Sequence, residues 1–146
     1  MAGRIAVAVD GSDSSRAPLA AAVALARERG AELVGLFVMD SGWADFIGND
    51  WQSSRNARQG FLDYVREDQE RHAEQARRQF AEAAPGARFA VLVGEPEQAL
   101  LEFIASPEAD LLVMRRTAYQ VCGRPSLKRL AAALKKKAGK PVVLCP

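Results

Sequence analysis

The sequence has few of the residues that most often bind metals or form cross-links. It contains one histidine and two cysteines among 146 residues, too few for the common zinc sites or for a disulfide framework. No apolar run approaches the roughly 20 residues that a membrane-spanning helix needs. The first residues, MAGRIAVAVDG, carry one basic residue and an apolar run that ends at Asp10, unlike a signal peptide. We therefore expect a cytoplasmic protein without a metal site or membrane insertion.

Acidic residues are missing from the last quarter of the sequence. Residues 111–146 contain nine Lys and Arg but no Asp or Glu, whereas residues 1–110 have a net charge of −7. Such a basic segment is typical either of a solvated face or of a site that binds anions or nucleic acid. Its only aromatic residue is Tyr119, so stacking partners for nucleic-acid bases are few. A nucleic-acid-binding module is therefore a less favoured interpretation.

Apolar patterns typical of strands and of helices alternate along the chain. Ile5 to Val9 are all apolar, which indicates a strand covered on both faces. A polar turn and a helix follow, with Ser14 or Ser15 as the expected helix cap. This alternation continues to the end and predicts a single α/β domain over residues 1–146, with a mostly parallel sheet between two layers of helices. The predicted strands are Ile5–Val9, Glu32–Met39, Ala87–Val93, Asp110–Met114 and Val142–Cys145, and the predicted helices cover residues 16–30, 60–84, 96–106 and 127–138.

The loops that follow the first and fourth strands are the first candidates for a ligand site. If the chain winds one way and then back, these two strands are neighbours. Asp10–Ser15 and Arg115–Pro125 then meet at the carboxyl edge of the sheet, where open α/β sheets bind their ligands. Val38 or Met39, at the end of the second strand, would form a side wall.

Three stretches carry a resemblance to a known family: IAVAVDGSDSSRAPLAAAVALARERGAELVGLFV, VLVGEPEQALLEFIASPEADLLVM and GKPVVLCP. In order and spacing they are similar to the universal stress protein family. The resemblance implies a Rossmann-like, five-stranded, parallel open sheet of order 3-2-1-4-5. It also implies a homodimer through the last strand, here Val142, Val143 and Leu144. Members of the family act in stress responses, and many bind ATP or another adenine nucleotide.

The chain departs from the motif of the nucleotide-binding members, which is G-x2-G-x9-G-[S/T] after the fourth strand. Arg115 and Ala118 stand where the first two glycines are expected. Ser126, the expected cap of the last helix, takes the place of the final Ser or Thr only if the loop is three residues shorter. We therefore expect no ATP binding in the family's glycine-rich mode. In the alternative, Arg115, Arg116 and Arg124, with the helix start at Ser126, bind ATP, AMP or another anion.

The remaining chemistry of the sequence favours a regulatory role over a catalytic one. No catalytic group is recognisable, so slow ATP hydrolysis is a minor alternative, and an unidentified protein partner is expected. Asp10 is either a ligand contact or a former of its own turn. The irregular segment from Asp40 to Arg58 is either a surface loop or a lid or partner surface, and Cys122 is either an ordinary loop cysteine or a redox sensor. The predicted ligand-binding residues are Asp10, Gly11, Ser12, Val38, Met39, Met114, Arg115, Arg116, Arg124 and Ser126.

Overall fold

The computed structural model describes residues 3–40, 55–116, 119 and 127–146. Strands and helices alternate along these residues as the sequence predicts. The strands are β1 (Arg4–Ala8), β2 (Glu32–Asp40), β3 (Arg88–Gly94), β4 (Leu111–Arg115) and β5 (Val142–Cys145). The helices are α1 (Arg16–Arg29), α2 (Arg55–Ala83), α3 (Pro96–Ala105) and α4 (Leu130–Lys137), and a short 3-10 turn, Asp13–Ser15, precedes α1.

The five strands form one parallel sheet in the order β3-β2-β1-β4-β5. The predicted strand order is therefore confirmed. β1 lies at the centre, where Ile5 pairs with Leu33 of β2 on one side and with Leu111 of β4 on the other. This central position explains the unbroken apolar run, because both faces of β1 are covered. It also places the ends of β1, β2 and β4 side by side at the carboxyl edge.

The side chains of the sheet divide into two buried layers. Ala6 and Ala8 of β1 belong to a layer that includes residues of α3 and α4. Val7 belongs to the opposite layer, which includes residues of α1 and α2. In that second layer Gly35 leaves room for the ring of Phe80, since a β-carbon there would lie 2.6 Å from the Phe80 ring. The packing of Phe80 against β2 therefore requires glycine at position 35.

The last helix begins later than predicted. α4 starts at Leu130, not near Ser126, so the prediction that Ser126 caps this helix is wrong. The physical reason is a backbone pairing: the N–H of Leu127 donates to the carbonyl of Tyr119 (2.8 Å), and the N–H of Tyr119 donates to the carbonyl of Leu127 (3.1 Å). Leu127 is thus held in an antiparallel bridge and does not join the helix.

The expectation for the start of α1 also changes. The side chain of Ser15 makes no cap hydrogen bond to α1 and instead turns back to Asp10. β3, an edge strand, carries two exposed valines, Val91 (43%) and Val93 (70%). Among the described helices, none is both long and apolar enough to cross a membrane.

Candidate ligand crevice

The turn after β1 is built around the carboxylate of Asp10, which is buried. Its Oδ1 accepts hydrogen bonds from the backbone N–H of Ser12 (3.0 Å), the hydroxyl of Ser12 (2.5 Å) and the hydroxyl of Ser15 (2.6 Å). The N–H of Asp10 donates to the Ser15 hydroxyl in return, at 2.9 Å. These bonds compensate the cost of burying the carboxylate. Asp10 therefore forms its own turn, which is one of its two predicted roles.

Helix α2 lies directly against this turn. Gly11 has φ of +80°, and a β-carbon on it would lie 3.3 Å from the backbone nitrogen of Ala76 and 3.4 Å from the carbonyl oxygen of His72. The side-chain amide of Gln79 donates to the carbonyl of Ser12 at 3.0 Å. Glycine at position 11 thus allows the backbone of α2 to approach the turn closely.

Tyr119 reaches into the carboxyl edge of the sheet from the loop after β4. Its side chain is buried, and its hydroxyl donates to the carbonyl of Val9 at 2.8 Å and accepts from the N–H of Val38 at 3.2 Å. Burial raises the pKa of Tyr119 well above its usual value, and the nearby charge of Asp10 raises it further, although the hydrogen bond from Val38 opposes them. The hydroxyl is therefore neutral and acts as donor and acceptor at once.

The other predicted site residues surround this tyrosine only in part. Val38 and Met114 are buried in the same core layer as Tyr119, whereas Met39 packs on the opposite face of β2. Arg115 is half-buried, and Arg116 is exposed at the end of β4, where its N–H donates to the carbonyl of Cys145. The predictions for Arg124, Ser126, Cys122 and most of the segment from Asp40 to Arg58 fall outside the described residues.

The buried, hydrogen-bonded position of Tyr119 is not predicted from the sequence. There this residue is considered only as a stacking partner for nucleic-acid bases. The available signal is the single aromatic residue of the segment 111–146, five positions after the buried end of a strand. No comparable feature of the sequence indicates that Gln79 and Ala76 of α2 contact the turn after β1. The side chain of His72 is half-exposed, and its Nε2 lies 3.6 Å from the Asp68 carboxylate.

No group of three or more metal-binding side chains lies together within the described part of the chain. The sheet order and the two helix layers define an open-sheet α/β protein of the Rossmann-like class. Proteins of this class bind ligands in a crevice at the carboxyl edge of the sheet, and in this chain the side chain of Tyr119 is buried at that edge.

The chain belongs to the universal stress protein family, because the model of that family matches residues 1–146. Universal stress protein UspA from Lactobacillus plantarum is a similar solved structure, with a TM-score of 0.74 and 24% identity over 99% of this chain and 97% of that one. A universal stress protein in complex with cAMP has a TM-score of 0.59 and 20% identity, over 99% and 97% of the chains.

The universal stress protein from Archaeoglobus fulgidus in complex with dAMP has a TM-score of 0.54 and 20% identity, over 97% of this chain and 96% of that one. At these identities the likeness shows a common fold. No curated protein gives a significant match.

Proposed function

We propose that this chain is a regulatory, non-catalytic universal stress protein of the cytoplasm that does not bind an adenine nucleotide in the family's glycine-rich mode. The observation that carries this proposal is the position of Tyr119. Its hydroxyl engages the carbonyl of Val9 and the N–H of Val38, the backbone groups at the ends of β1 and β2. A ligand at this edge would have to displace a buried ring that already satisfies both groups.

The residues next to the crevice support the same proposal. Arg115 stands where the resemblance places the first glycine, and its half-buried side chain occupies space that a glycine would leave open. On the other loop, the backbone of Gly11 packs against α2. At these two positions the chain therefore differs from the glycine-rich cradles whose backbone N–H groups bind phosphates.

The test is to purify the protein without added nucleotide, denature it, and identify released small molecules by mass spectrometry. We expect no stoichiometric nucleotide, no rise in melting temperature with excess ATP, AMP or cAMP, and no hydrolysis of ATP in the presence of Mg²⁺. Release of ATP, ADP or AMP in an amount near that of the protein would refute the proposal.

The second candidate is a sensor of an adenine nucleotide or another small anion. It is favoured by the solved relatives in complex with cAMP and dAMP and by Arg115 and Arg116 at the end of β4. Arginine binds phosphates through two parallel hydrogen bonds. If nucleotide is found, replacing Arg116 with alanine should weaken its binding, whereas replacing Arg27, on the distant helix α1, should not.

We also propose that the protein forms a homodimer through β5. This dimer acts on a protein partner that remains to be identified. β5 is an edge strand. Its ladder with β4 includes bonds to the carbonyls of Pro141 and Cys145. Since alternate residues of a strand direct their backbone groups to opposite sides, the N–H groups of Val142 and Leu144 point away from β4, where a second chain could pair.

This geometry gives a specific test of the dimer. Leu144→Pro removes one outward N–H and leaves the ladder with β4 intact, because proline is tolerated on the outer side of an edge strand. Leu144→Ala removes side-chain volume but keeps the N–H. Sedimentation velocity should show a dimer for the wild type and Leu144→Ala, and a monomer for Leu144→Pro. A wild-type protein that is monomeric at high concentration would rule out this assembly.

A further inference from the structure

The hydrogen-bond ladder between β1 and β2 opens at its carboxyl end. The strands pair in register up to Ala8 and Leu36, and the N–H of Val9 still donates to the carbonyl of Leu36 at 2.9 Å. In a regular parallel ladder the next bond would run from the N–H of Val38 to the carbonyl of Val9. Here the hydroxyl of Tyr119 is inserted between these two groups. It therefore replaces one rung of the ladder.

The ring of Tyr119 comes from outside the sheet. Its backbone is held by the two hydrogen bonds to Leu127 in the region between β4 and α4. The side chain then enters the core layer that contains Val38 and Met114, and only 2% of Tyr119 is exposed. The ring thus occupies the crevice in the manner of a bound molecule: its apolar face is buried, and its one polar atom is satisfied by a donor and an acceptor.

We infer that Tyr119 acts as an intramolecular ligand, whose side chain fills the crevice and closes it to other molecules. The space that it occupies fits a small planar aromatic molecule with one hydroxyl group. This inference rests on the proposed function, since it explains why the crevice is closed to other ligands. It predicts that removal of the ring creates a binding site whose preferred ligand resembles the removed side chain.

The experiment uses Tyr119→Ala and phenol as the probe. A cavity left by a buried aromatic ring can bind a free aromatic molecule. Phenol at about ten times its dissociation constant should raise the melting temperature of this variant by about 3–6 °C. Benzene should raise it less, because it leaves the carbonyl of Val9 and the N–H of Val38 without a partner.

Three control proteins keep their crevice closed and should not respond to phenol. They are the wild type, Tyr119→Phe, which retains the ring, and Tyr64→Ala, which removes a tyrosine that is 61% exposed. A folded Tyr119→Ala protein that does not respond to phenol would overturn the inference. So would a response of equal size in the controls, because phenol would then bind elsewhere.

A second measurement applies if Tyr119→Ala does not fold. In Tyr119→Phe the N–H of Val38 loses its acceptor, so its hydrogen exchange should accelerate at least about tenfold relative to the amides of α1. An unchanged rate at Val38 would overturn the inference. The phenol response and the exchange rate at Val38 do not depend on whether the wild type releases a nucleotide. The release of a nucleotide tests only the proposed function.

Discussion

The substitution Tyr119→Phe removes a single oxygen atom from the centre of the crevice. The ring stays, so the packing against Val38 and Met114 is retained. The carbonyl of Val9 and the N–H of Val38 lose their shared partner. Both residues are buried, so water cannot readily replace the hydroxyl. The change therefore isolates the hydrogen bonds of Tyr119 from its hydrophobic contribution.

The expected cost follows from the two groups that are left unpaired. An unsatisfied buried polar group costs about 1–3 kcal/mol. A partial approach of the two strands, short of a direct hydrogen bond from Val38 to Val9, would recover part of the loss for the two groups. We therefore expect a net decrease of about 1–3 kcal/mol in the free energy of unfolding, large compared with the effect of most surface substitutions.

Urea unfolding measures this difference. The midpoint should fall while the slope of the transition stays the same, because the fold and its buried surface do not change. Tyr64→Phe is the matched control, since it removes the same atom from a tyrosine that is 61% exposed, and its effect should lie within about 0.5 kcal/mol. If both variants unfold at the wild-type midpoint, the hydroxyl of Tyr119 is not a rung of the ladder.

Four further predictions concern the titration of Tyr119 and the substitution of three glycines. The pKa of Tyr119 is raised by burial, so above about pH 10 the unfolded chain releases a proton that the folded chain keeps. Wild-type stability should then fall more steeply with pH than that of Tyr119→Phe, and a tyrosinate absorbance titration should show no ionisation of Tyr119 before unfolding. Gly35→Ala places a methyl group 2.6 Å from a buried phenylalanine ring and should cost about 1–3 kcal/mol in thermal or urea unfolding. Gly60→Ala, a helical position with nothing within 4 Å, should instead stabilise by up to about 1 kcal/mol. Gly11→Ala should cost at least about 1–2 kcal/mol, because its φ is +80° and alanine disfavours that conformation; wild-type stability would contradict the packing of this turn against α2.

The outline of the fold could be predicted from the sequence because it depends on local patterns. The unbroken apolar run from Ile5 to Val9 indicates a strand with two covered faces, and β1 is indeed the central strand. Helical spacing of apolar residues indicates the helices, although α4 begins three residues after the predicted first position because Leu127 pairs with Tyr119. The order of the strands follows from the family resemblance, since periodicity alone does not distinguish the possible orders.

The contents of the crevice were decided only by the tertiary structure. The hydroxyl of Tyr119 bonds to the carbonyl of Val9, 110 residues earlier in the chain, and Gln79 of α2 bonds to Ser12, 67 residues away. A local pattern carries no record of such partners, because they meet only when the strands and helices have packed. The sequence by itself therefore determined the strands and helices, and with them which turns follow the carboxyl ends of the strands. Packing determined that a tyrosine side chain and a helix backbone occupy the carboxyl edge of the sheet.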